Sequence, residues 1–191
     1  MLRLNMRDVG KSDILAGALS GKATFARLMA LVAGEPANPE TLFLDFKEIE
    51  VATASFLRES VVSFRDVIRA RSSHFYPVVA NPNDVVRDEF LDLARTKGDV
   101  FLTCRLANNG APSQPTLLGN LEAKQWLTFD LVRKHGETDA GELMKLHGKQ
   151  EKVKHTTAWN NRLSSLARLG LIVEVREGRL RRYRPLFKEI S

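Results

Sequence analysis

Lys154-His155-Thr156-Thr157-Ala158-Trp159-Asn160-Asn161-Arg162 runs without interruption into Leu163-Ser164-Ser165-Leu166-Ala167-Arg168-Leu169-Gly170. Trp159, Leu163, Leu166 and Leu169 recur at i, i+4, i+7 and i+10, which predicts an amphipathic helix with those four turned inward. Its other face carries Thr, His and Asn where a plainly solvated helix would favour Glu, Lys and Ala. Asn pairs bidentately with adenine and Arg with guanine, so Asn160, Asn161 and Arg162 have the chemistry to read base edges. Lys152, Lys154, His155, Thr156 and Thr157 suit contacts to phosphates.

The flanking sequence extends this reading in both directions. Leu118 to Lys134 predicts a first helix that offers Leu121, Trp126, Leu127, Leu131 and Val132 to a core, with Gly136 ending it. Asp139 to Gly148 predicts a short second helix, and Lys149 to Val153 a brief turn into the third. After Gly170, Leu171 to Val175 and Leu180 to Pro185 read as two strands around a turn at Arg176-Glu177-Gly178-Arg179. Arg176, Arg179, Arg181, Arg182 and Arg184 gather five positive charges on that hairpin. Three helices followed by an Arg-rich hairpin, over about residues 119 to 187, resemble the winged helix-turn-helix of bacterial transcription regulators such as the MarR and ArsR-like groups. The resemblance implies that the third helix enters the major groove of double-stranded DNA while the hairpin follows the phosphate backbone. It also implies a homodimer, because bacterial operators usually pair half-sites.

The amino-terminal half alternates strands and helices. Leu2 to Val9 and Thr41 to Phe46 read as strands, and Phe25, Leu28, Met29 and Val32 form a helical stripe. A helix from about Ala54 to Arg69 buries Phe56, Leu57, Ser60, Val61 and Phe64, and Thr53 or Ser55 caps it. A strand at Phe75 to Ala80, a helix at Pro82 to Lys97 with Val85, Val86, Phe90 and Leu93 as its buried stripe, and a strand at Asp99 to Cys104 complete an α/β layer. The stretch Leu44-Asp45-Phe46 to Thr53-Ala54-Ser55-Phe56-Leu57-Arg58-Glu59 resembles the centre of STAS-like domains. In anti-sigma-factor antagonists of that fold, a serine in this turn is phosphorylated by a partner kinase; here Ala54 stands at that position. The resemblance leaves Asp45, Thr53 and Ser55 as partner-binding or regulatory candidates, with capping the simpler role for the two hydroxyls.

The expected organisation is therefore a STAS-like α/β domain over 1–106, a linker over 107–118 rich in Asn, Gly, Pro and Ser, and a winged helix over 119–191. From Gly119 onward the chain carries 15 basic and 9 acidic residues, against 14 of each before it, so the net charge of +6 lies entirely in the carboxy-terminal part. Such asymmetry points to a polyanionic partner.

Catalytic, metal and cofactor sites are not expected. His74, His135, His147 and His155 lie far apart, and Cys104 is the one cysteine. The carboxylates near Asp45 have no neighbouring His or Lys to work with. Gly17 to Thr24 misses the register of a phosphate-binding loop, since Ala16 precedes Gly21 by five positions and Ala23 follows Lys22. No signal peptide or membrane-spanning run is read, so a cytoplasmic protein is expected. Two functions compete: a DNA-binding transcription regulator controlled by its amino-terminal domain, and a partner-switching module whose winged helix docks protein.

Overall fold

The computed structural model describes residues 1–178 and 180–187. It is an α/β protein that divides into two compact units, Met1–Asn120 and a second beginning at Leu121. In chain order the first contains β1 (Leu2–Asn5), α1 (Met6–Gly10), β2 (Ile14–Leu15), α2 (Ala18–Leu31), β3 (Glu40–Asp45) and β4 (Val51–Ala52). There follow α3 (Ala54–Leu57), a π-helical turn (Arg58–Val62), α4 (Ser63–Ala70), β5 (Phe75–Ala80), α5 (Asp84–Lys97), β6 (Val100–Leu106) and β7 (Pro112–Gly119).

The main sheet has the order β1-β3-β5-β6-β7, parallel except for β7, which runs antiparallel to β6. Every parallel connection steps the same way, so right-handed crossovers place the linking helices on one face. Leu42, Leu44, Val79 and Phe101 from the sheet meet Leu28, Phe56, Phe64 and Phe90 from the helices in one buried core. Phe90 sits at its centre, edge-on to Phe46 at 5.8 Å and tilted against Phe101 at 5.1 Å. Gly21 lets α2 approach α3 closely, because a Cβ there would lie 2.7 Å from the Phe56 carbonyl oxygen.

Four expectations need correction in this unit. The first strand ends at Asn5, not Val9: the Asn5 side chain accepts from the Arg7 amide, and Met6 and Val9 are buried at helical spacing on α1. The proposed linker is the return arm of a hairpin. Gly110 N–H donates to the Ala107 carbonyl and Ala107 N–H to the Ala111 carbonyl, after which Pro112–Gly119 pairs along β6. As the sheet's outermost strand, β7 tolerates Pro112 and Pro115, and with only Leu118 buried along it there is no apolar pattern to read. Within the helical run from Ala54 to Ala70, residues 58–62 widen to a π-turn, while Phe56, Leu57, Ser60, Val61 and Phe64 are buried as the stripe requires. On α5, Val86, Phe90 and Leu93 are buried, but Val85 is 51% exposed.

The second unit consists of α6 (Ala123–His135), α7 (Ala140–His147), α8 (Thr156–Arg168), β8 (Ile172–Glu177) and β9 (Leu180–Pro185). The Asp139 carboxylate caps α7 by accepting from the amides of Gly141 and Glu142 at 2.7 and 2.9 Å. Strands β8 and β9 pair antiparallel, and Thr138, between α6 and α7, exchanges two backbone hydrogen bonds with Tyr183 to add a third arm. Phe129, Val132, Leu143, Trp159, Leu163, Leu166, Ile172 and Tyr183 are fully buried. Leu118 belongs to β7, so the first helix starts later than expected. Trp126 is 48% exposed, because Phe129, one turn on, takes the core position. The connection from α7 to α8, residues 148–155, is longer than the brief turn expected.

Candidate nucleic-acid interface

Helix α8 forms because Trp159, Leu163 and Leu166 give it one apolar stripe, and burying that stripe fixes what the opposite side presents. Thr156, Thr157, Asn160, Asn161 and Arg168 are exposed, as are His155 at the N-cap and Lys152 and Lys154 in the preceding turn. Thr157, Asn161 and Arg168 stand at i, i+4 and i+11 along one line of the helix. Arg168 was not among the residues singled out from sequence; its place three turns along from Thr157 was the signal available.

Arg162 is oriented differently from the sequence expectation. Its guanidinium lies 4.9 Å from the Trp159 ring centre, its side chain is 16% exposed, and Glu151 is 4.0 Å away. Position 162 falls one turn beyond Trp159, so the side chain packs on the flank of the buried stripe. Glu151 also accepts from Lys124 at 2.7 Å, tying the turn before α8 to α6.

On the hairpin, Arg176, Arg181 and Arg184 are exposed. Arg176 donates to Glu174 at 2.7 Å, and that hydrogen bond, with the Glu174 charge, raises its pKa. Arg182 is partly exposed and engaged by carboxylates: Glu137 holds it at 2.5 Å, Glu142 at 3.4 Å and Asp139 at 3.9 Å. Three carboxylates around the start of α7 hold its guanidinium and so join β9 to that helix. Arg179 lies outside the described residues.

The acidic residues of this unit are mostly engaged in such pairs. Asp130 meets Lys134, Glu151 meets Lys124, Glu174 meets Arg176, and Glu137, Asp139 and Glu142 gather on Arg182. By contrast, Lys145, Lys149, Lys152, Lys154, Arg168, Arg181 and Arg184 have no carboxylate in ion-pair range among the described residues. Uncompensated cations on the turn before α8, on α8 itself and on the hairpin are what phosphate contacts require.

The regulatory candidates of the first unit have structural partners. Asp45 is 1% exposed, accepting from Arg3 Nε at 2.7 Å, Asn81 at 2.8 Å and the Lys47 amide at 3.0 Å. The Thr53 hydroxyl caps α3 by accepting from the Phe56 amide, accepts from Gly17 N–H at 3.3 Å and meets the Ser55 hydroxyl at 3.2 Å. The fold also joins two of the scattered histidines, His135 and His147, whose Nε2 atoms lie 3.2 Å apart at the ends of α6 and α7. Among the described residues no group of three or more metal-capable side chains forms, and no helix is long and apolar enough to cross a membrane.

No protein-family model matches this sequence, and no curated protein matches it.

Proposed function

We propose that this chain is a DNA-binding transcription regulator in which the second unit is a winged helix-turn-helix and the first a STAS-like domain that senses a ligand or partner or mediates dimerisation. Support for the winged helix comes from the succession of three helices, the short arm at Thr138 and the two-stranded hairpin. The observation that carries the reading is the outer side of α8: Thr157, Asn160, Asn161 and Arg168 are exposed beside Lys152 and Lys154, which have no carboxylate in ion-pair range among the described residues. Asn161 reads a base edge in this account, Thr157 and the lysines position the helix on phosphates, and Arg181 and Arg184 extend the backbone contact along the hairpin.

Asn161→Ala separates base reading from charge. It should weaken binding to the native upstream duplex by about 1–3 kcal/mol while leaving random-sequence binding nearly unchanged. Equal losses on both duplexes, measured by fluorescence anisotropy, would remove direct readout by Asn161 from the account.

A further inference from the structure

The carboxyl ends of β5 and β6 open onto a cavity of about 150 Å³ lined by Pro82, Arg87, Thr103, Arg105, Gln114 and Thr116. Its two arginines differ from most others in the first unit. Arg3, Arg7, Arg58, Arg65 and Arg95 each meet a carboxylate, and Arg27 and Arg69 donate to backbone carbonyls. Among the described residues Arg87 and Arg105 have neither kind of partner, and both line the same small space. Arg71, the remaining unpartnered arginine of the unit, is not in the cavity lining.

The backbone here is shaped rather than regular. The β6–β7 register shifts between Thr103 and Arg105, and Gln114, opposite, has φ of 48°, a left-handed conformation uncommon outside glycine. A bulge of this kind re-aims the side chains beside it. The Thr103 hydroxyl, which is buried, meets the Thr116 hydroxyl at 2.8 Å and adds hydrogen-bonding capacity to the cavity wall. Arg87 and Arg105 are both exposed, so an anion can reach them from solvent, and the carboxyl ends of parallel strands are where α/β sheets place ligands.

We propose that this cavity binds a small free oxyanion of the phosphate-monoester class, with Arg87 and Arg105 matching its two charges and the threonine hydroxyls contacting its oxygens. The site rests on the first unit alone and holds whether or not the second binds DNA. Inorganic phosphate, titrated into the full-length protein at constant ionic strength and followed by amide NMR shifts, is the test. Saturable shifts concentrated at Thr103–Arg105, Gln114 and Thr116 are expected. Arg87→Gln and Arg105→Gln should each weaken binding by about tenfold, since each removes a charge-assisted contact, and Arg71→Gln should leave it unchanged. Shifts that do not saturate, that centre elsewhere, or that keep the same affinity in both cavity variants would overturn the proposal. A DNA duplex producing the same saturable shifts at these amides would also overturn it, by assigning the arginines to nucleic acid.

Discussion

Arg65 and Asp99 show how individual side chains fix the first unit. Their two-pronged contact, 2.7 and 3.1 Å, is nearly buried, Arg65 also donates to the Val100 carbonyl, and its guanidinium lies 4.8 Å from the Phe101 ring centre. Burial works to lower the Arg65 pKa, but Asp99 and Asp66 together raise it, so Arg65 stays charged. Asp99→Ala strands most of that charge and should destabilise the protein by about 3 kcal/mol in urea unfolding. Cys104 behaves in the opposite way. Burial, assisted by the Asp45 charge, pushes its thiol from 9.0 up to about 12. The unfolded thiol ionises first as pH rises, so the stability contributed by the protonated form is complete below about pH 9 and is lost towards about pH 12. Cys104→Ala should therefore flatten the alkaline decline in stability, and a decline of unchanged slope would contradict the assignment. At this scale the apolar spacing of α8 was enough to place Asn160, Asn161 and the lysines before them at the surface. It did not show the partners of Arg162 and Arg182, a neighbouring Trp for the first and three carboxylates from distant positions for the second.

Helices with one apolar stripe were legible as elements, because burial repeats along the chain. The run from Ala54 and helix α8 follow their stripes closely, while the π-turn at 58–62 has no counterpart in the hydrophobic pattern. β5, buried at every position, was equally plain as an apolar run. β7 was not, since its pattern is set by pairing with β6 at the sheet's edge and not by its own burial. Asp139 was a readable helix start, and its role can be measured: Asp139→Ala removes two amide partners from α7 and should cost about 1 kcal/mol. Because Asp139 also lies near Arg182, Asp139→Asn keeps the cap and isolates it from the charge. An asparagine variant as unstable as the alanine variant in thermal unfolding would show that the Arg182 network, and not the cap, dominates there.

For the molecule as a whole, the positive excess read from sequence falls in the second unit, and the structure adds how it is distributed: many acids are occupied by partners, while seven cations on α7, the turn before α8, α8 and the hairpin have no carboxylate in ion-pair range among the described residues. On the proposed function, this distribution predicts an electrostatic attraction to DNA that falls steeply with salt, as each phosphate contact contributes close to one unit to the slope. Replacing Arg181 and Arg184 together with Gln should weaken native and random duplexes alike and reduce that slope by roughly two. The most direct test is an anisotropy titration of the full-length protein with a duplex from its own upstream region and with a scrambled duplex, across a series of salt concentrations. Tighter and less salt-sensitive binding to the native duplex is the result the account predicts; no binding, or equal binding to both, would contradict sequence-specific recognition and move the second unit to a protein-docking role.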